Sequence, residues 1–145
     1  MENKKIKNAK VTIFNGIKFK SLLERSCYRE LEKSGLTFSH ESDKFRLWEG
    51  VKLKNLKVFL VKGRLLQLNT TKLQDTTYCP DFRVEYKDFI IFIETKGFPN
   101  DSYPLKRKLF LKILDQLNDG HKYIFIEPHS VGQMIQAINI IRTLE

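Results

Sequence analysis

Two cysteines, Cys27 and Cys79, are all that the 145 residues contain, and neither sits in a Cys-x-x-Cys or Cys/His ligand spacing. Neither a disulfide framework nor a structural zinc site is expected, and a reduced, intracellular, cytoplasmic setting is the natural reading. Proline (4) and glycine (7) are sparse and never gather into a linker, so one domain spanning residues 1–145 is expected. No run of 18 apolar residues occurs, and the lysine-rich stretch Met1 to Lys10 has no hydrophobic segment behind it. Neither a membrane-spanning helix nor a secretory signal is expected, and no membrane partner. Acid is in short supply as well: 26 Lys and Arg oppose 17 Asp and Glu, a formal charge of +9. Such a balance favours a polyanionic partner, although colloidal solubility accounts for the charge alone equally well.

What is present suffices for a core. With 41% apolar and 12% aromatic residues, intrinsic disorder is not expected. Ser21 to Ser34 reads as a helix, capped by Ser21, stopped by Gly35, with Leu23, Cys27, Tyr28 and Leu31 on one face. Leu36 to Trp48 and Val51 to Leu68 read as strands and loops. Asp81 to Tyr86 and Phe89 to Glu94 are two strand-like runs separated by Lys87 and Asp88, a hairpin signature. The second run is apolar at every position through Ile93, so it is expected to be buried on both faces. A helix from Ser102 to Asn118 is expected to bury Leu105, Leu109, Ile113, Leu114 and Leu117. A strand from Tyr123 to Glu127 and a helix from Pro128 to Leu144, burying Val131, Met134, Ile135, Ile138 and Ile141, close the chain. This order predicts an α/β fold in which helices flank a mixed central β-sheet.

A two-residue turn makes opposed residues of the hairpin sum to 175, so Asp81 faces Glu94. Like charges about 5 Å apart repel unless a cation lies between them. Lys96, two residues beyond Glu94, falls on the same face of the strand. Close carboxylates in a half-buried place either share a proton or hold a hard dication, Mg²⁺ or Mn²⁺. Such an ion lowers the pKa of bound water and polarises a phosphoryl oxygen, as phosphodiester hydrolysis requires. Glu24 projects between Leu31 and Tyr28 on the apolar stripe of the first helix, where an unpaired carboxylate is costly. A capping box, with Glu24 bonded back to the Ser21 N–H, explains the same residue without function.

The residues Tyr78-Cys79-Pro80-Asp81-Phe82 and Phe92-Ile93-Glu94-Thr95-Lys96-Gly97 resemble the PD-(D/E)xK motif of the restriction-endonuclease-like nuclease superfamily. Glu24, in a helix before the sheet, resembles its helix-borne acid. Lys106-Arg107-Lys108 looks like the basic stretch of small phage-borne, Holliday-junction resolvase-like members. Either half of the motif occurs by chance about once in two such chains; the weight lies in their order, the 13-residue offset of Glu94 from Asp81 and the apolar strand before Glu94.

The resemblance implies an αβββαβα order and a Mg²⁺-dependent endonuclease acting on DNA, duplex or branched, and leaving a 5′-phosphate. It also implies Asp81, Glu94 and the Thr95 backbone carbonyl as metal ligands, Glu24 assisting directly or through water, and Lys96 as the catalytic lysine. A homodimer is among the options for a resolvase.

Between Lys44 and Lys72 eight basic residues face one acid, Glu49. Lys52 and Lys54 in that stretch, with Lys106, Arg107, Lys108 and Lys112, are candidate phosphate contacts; a solvated lysine face that resists aggregation is the competing explanation. His40, His121 and His129 show no ligand spacing and read as structural or surface residues. Phe45, Trp48 and Phe59 could stack bases but are more simply core. The rival functions are a non-catalytic nucleic-acid-binding module with the same fold and a basic interaction protein whose acids merely pair with lysines.

Overall fold

The computed structural model describes residues 10–69, 72–97 and 100–145. A short hairpin of β1 (Thr12–Phe14) and β2 (Ile17–Phe19) leads into α1 (Leu22–Ser34) and β3 (Thr37–His40). Six short strands follow: β4 (Phe45–Trp48), β5 (Val51–Lys52), β6 (Phe59–Lys62), β7 (Leu65–Leu68), β8 (Lys72–Leu73) and β9 (Thr76–Tyr78). The chain then forms β10 (Phe82–Tyr86), β11 (Phe89–Ile93), α2 (Tyr103–Gln116), β12 (Lys122–Ile126) and α3 (Val131–Arg142). The central sheet has the order β12-β11-β10-β3, with β11 and β12 parallel and the other neighbours antiparallel. The fold is mixed α/β, and along the chain its central elements run α1, β3, β10, β11, α2, β12, α3.

Local chemistry sets the ends of α1. Ser21, extended at φ −150°, accepts the Glu24 N–H on its side chain, and Gly35 ends the helix at φ 73°, a conformation costly for other residues. Cys27 and Leu31 are thereby turned inward onto Phe82, Val84, Ile91 and Ile93, where Met134, Ile138 and Ile141 of α3 also pack. On the opposite face Ile90 and Phe92 meet Tyr103, Phe110 and Leu114 of α2. Strand β11 is therefore covered on both sides, as its unbroken apolar run requires. Each such side chain taken from water stabilises the fold by about 1.5–3 kcal/mol. Opposed residues run from Tyr86 with Phe89 to Phe82 with Ile93, the expected register, and Lys87 makes the turn at φ 54°.

Two helices bury different residues from those that spacing predicts. Leu105 of α2 and Leu117, which caps its C-terminal end, are exposed, and Tyr103 and Phe110 take inward positions. The layer they enter is aromatic: Phe110 meets Phe45, Tyr78, Phe92 and Phe125 with ring centres 4.8–6.0 Å apart. Rings fill most of that space beside Leu114, which is buried as expected, and leave Leu105 outward. In α3, which packs beside α1, Ile135 is exposed and Ala137 buried.

The six strands between β3 and β10 pair in nested fashion, β4 with β9, β5 with β8 and β6 with β7. They form one long antiparallel arm. Phe45 seats its base on Phe92 and Phe110, whereas Trp48 and Phe59, expected in the core, are exposed. At Gly50 a β-carbon would lie 2.2 Å from the Leu73 carbonyl oxygen, so the two strands close there only over glycine. Among the described residues no helix is long and apolar enough to cross a membrane.

Candidate active site

The ends of β10 and β11 gather the candidate site residues. Asp81 precedes β10, and Glu94, Thr95 and Lys96 follow β11. Asp81 and Glu94 are each 5% exposed. The ladder ends at Phe82 and Ile93, and just beyond it the Asp81 N–H donates to the Glu94 side chain, Oε2, at 3.2 Å. Tyr78 donates its hydroxyl to the same oxygen at 2.8 Å, and Lys96 Nζ stands 3.0 Å from Glu94 Oε1. Asp81 Oδ2 accepts from the Thr95 N–H at 2.8 Å and from its hydroxyl at 2.7 Å. Glu94 and Lys96 donate their own N–H groups to Ile126 and Pro128 beside β12. The alternation of the extended chain thus turns the main-chain edge of Thr95 toward Asp81.

Burial raises the Asp81 pKa, and the charges of Glu94 and Glu24 raise it further against the two Thr95 bonds. Burial likewise pushes the Tyr78 hydroxyl upward, with the Glu94 charge adding to it. Tyr78 therefore acts as a donor. Lys96 faces Glu94 alone, so deprotonation of Asp81 adds an uncompensated buried charge, which a dication would offset. The available ligand atoms are hard carboxylate oxygens, while Thr95 turns its N–H and hydroxyl toward Asp81. The neighbouring Cys79 thiol is held protonated by burial and by the Glu41 charge. That set fits Mg²⁺ or Mn²⁺ better than a thiophilic ion.

Glu24 is 1% exposed and lies near enough to raise Asp81, but its oxygens point elsewhere. Oε2 accepts the Lys20 N–H at 2.7 Å and Oε1 meets His40 Nε2 at 2.8 Å. The capping box is half formed: Ser21 caps Glu24, while Glu24 takes the N–H of Lys20 and not that of Ser21. Among the described residues the acidic or histidine ligand atoms gathered within 4.8 Å belong to Glu24, His40 and Glu41. Glu41 is paired with Lys20 at 2.9 Å. Burial opposes the Lys20 charge, but Glu41, Asp81 and Glu24 together hold its pKa above the ordinary lysine value.

A cleft of about 200 Å³ opens onto Glu94 and Lys96, with Lys20, Tyr78, Tyr103 and Lys106 on its walls. Lys96 stands 4.3 Å above the Tyr103 ring centre. The Tyr103 hydroxyl donates to Glu127, which also takes Arg107 Nη1 at 2.9 Å and His129 Nε2 at 2.8 Å. Arg107, a candidate phosphate contact, is thus already engaged. Lys106 reaches the cleft, Lys108 and Lys112 lie exposed on α2, and Lys52 and Lys54 are exposed on the arm. Larger hollows lie beside Leu114, about 350 Å³, and at Gly50, about 450 Å³, the second lined by Lys44, Lys52, Lys72 and Asp75.

Lys20, His40, Glu41, Tyr78, Tyr103 and Glu127 are site residues that the sequence did not single out. Tyr78 alone carried a signal, standing three residues before Asp81. His40 reaches the site because β3 pairs with β10 and sets it opposite Phe82. Comparison of the chain with protein-family models, curated proteins and solved structures returned no match.

Proposed function

We propose that the chain is a divalent-metal-dependent endonuclease of PD-(D/E)xK type that hydrolyses phosphodiester bonds in DNA, with branched duplexes as preferred substrates. One observation carries this reading: at a sheet end the buried Glu94 carboxylate accepts the Asp81 N–H, lies close enough to the buried Asp81 carboxyl to raise its pKa, and has the Lys96 ammonium 3.0 Å away, Glu94 and Lys96 opening onto a cleft with Lys20 and Lys106 on its walls. The chain order α1, β3, β10, β11, α2, β12, α3 supports a restriction-endonuclease-like arrangement of the fold.

Asp81 and Glu94 would hold Mg²⁺ or Mn²⁺, with the Thr95 main chain beside them and Glu24 assisting through its charge or a water. When bound, the ion supplies activation of water and neutralisation of charge on the phosphate. Lys96, anchored between Glu94 and Tyr103, holds a positive charge where the attacking water and the developing oxyanion must lie. Tyr78 keeps Glu94 in place by donating to it. Lys20 and Lys106 on the cleft walls, and Lys108, Lys112, Lys52 and Lys54 farther out, supply contacts to the phosphate backbone that carry no sequence information.

The test is incubation of the purified protein with supercoiled plasmid and with four-way junctions, in Mg²⁺ or in chelator. Nicking that requires Mg²⁺ and vanishes in Glu94→Ala is expected. Salt-dependent binding with no cutting under Mg²⁺ or Mn²⁺ would mark a binding module and end the enzymatic reading.

A further inference from the structure

We infer that the hollow in the arm at Gly50 is a phosphate subsite, in which Lys44, Lys52 and Lys72 together hold one backbone phosphate of the nucleic-acid strand that occupies the cleft. The inference deepens the proposed function and rests on it for the identity of that strand. Lys52 and Lys72 are direct partners across the ladder of β5 with β8, so their side chains stand on one face. Like charges so placed repel, and an anion between them removes the repulsion. Lys44, immediately before β4, lines the same hollow of about 450 Å³. The acids nearby are engaged elsewhere: Asp43 with Arg83, Glu49 with Arg46, and Asp75, on the wall of the hollow, with the Gly50 N–H at 2.6 Å. Among the described residues no carboxylate is paired with any of the three lysines. The close approach over Gly50 and the Asp75 bond to its N–H fix the ladder that sets Lys52 against Lys72.

Position selects the ligand. The hollow and the cleft share Thr77 of β9 as a wall, and the next residue, Tyr78, donates to Glu94. A run of phosphates can therefore pass from Lys20 and Lys106 in the cleft, across Thr77, to the three lysines of the arm. A free phosphate would fill one place and gain nothing from the other. Lysine meets phosphate as a point charge, so the hollow sets where the strand lies and reads no base. It follows that the substrate must extend beyond the phosphate in the cleft, and that Lys44 and Lys72 belong to its binding surface together with Lys52.

Binding of a labelled DNA duplex to the full chain, in chelator so that nothing is cut, tests the subsite when measured against salt for the wild type, Lys52→Gln, Lys72→Gln and the double variant. Loss of one phosphate contact is expected to lower the slope of log affinity on log salt by about 0.9 in the double variant. Because both lysines serve one phosphate, the double variant should lose less affinity than the two single losses combined. Without DNA, neither single variant should melt below the wild type, since each relieves a repulsion. If a ladder variant misfolds, Lys44→Gln, outside the ladder, carries the test. An unchanged salt slope in the double variant overturns the inference, and so does a strictly additive loss, which describes separate surface contacts. Inorganic pyrophosphate that binds the wild type while every variant keeps full duplex affinity assigns the hollow to a small anion and overturns it as well. A protein that shows the expected slopes yet never cuts under Mg²⁺ sinks the enzymatic reading and upholds the subsite.

Discussion

The Lys96 ammonium stands 4.3 Å above the centre of the Tyr103 ring, so a residue at the start of α2 holds a side chain at the end of β11. An ammonium over an aromatic face is stabilised by about 0.5–2 kcal/mol, more as water is excluded. Tyr103→Leu is expected to lower the cleavage rate about tenfold, because the ammonium is no longer held against Glu94. Tyr103→Phe keeps the ring and should retain most activity. Single-turnover rates on one nicked substrate measure the difference, and equal rates for Leu and Phe would sink the positioning role.

Lys96→Met removes the cation that faces Glu94 and leaves a carboxylate 5% exposed with less compensation. Cleavage is expected to fall by about 10²–10³, the usual cost of losing a group that stabilises transition-state charge. Without metal the variant should also be less stable by about 1–3 kcal/mol. Mg²⁺ should restore part of that loss. Thermal denaturation with and without Mg²⁺ is the measurement.

Asp81 sets a pH dependence. Its pKa is raised from 3.8 to about 8 by burial and by the charges of Glu94 and Glu24. The folded state therefore binds this proton more tightly than the unfolded state does. The stabilisation is complete below about pH 4 and is lost as pH rises toward 8. Asp81→Asn abolishes the dependence, so the metal-free variant should become progressively more stable than the wild type across that window, by about 1–3 kcal/mol at its upper end. Because a dication competes with the same proton, Mg²⁺ affinity and cleavage should rise with pH and level off near 8. A flat profile between pH 5 and 8 would contradict the assignment.

Glu24→Gln separates capping from chemistry. Its carbonyl oxygen can still accept the Lys20 N–H, and Ser21 still caps the helix, so stability should change by less than about 1 kcal/mol. Cleavage is expected to fall at least tenfold, because the charge near Asp81 is gone. Full activity in Glu24→Gln would reduce Glu24 to a structural residue.

The aromatic layer under α2 gives a prediction about folding alone. Phe110 is fully buried among four rings, and Phe110→Ala is expected to cost about 3–5 kcal/mol. Leu105→Ala, on the exposed side of the same helix, should cost less than about 1 kcal/mol. Urea denaturation distinguishes them.

Features built from neighbours in the chain were legible in the residues. Ser21 and Gly35 mark the ends of α1, two residues between β10 and β11 dictate the register that opposes Asp81 to Glu94, and an unbroken apolar run announces a strand covered on both faces. These rest on backbone geometry with a short repeat, which acts over a few residues. Contacts across long separations were not legible. Nothing near His40 says that β3 will pair with β10 and carry the imidazole to Glu24. Spacing alone could not choose between the leucine and aromatic sides of α2, since both recur at helical intervals; the rings of Phe45, Tyr78 and Phe92 made that choice. Glu127 reached Tyr103, and the basic segment became a nested arm, through the way distant pieces pack and pair. Periodicity assigns a residue to a face, but its partners depend on which other surfaces are brought to that face.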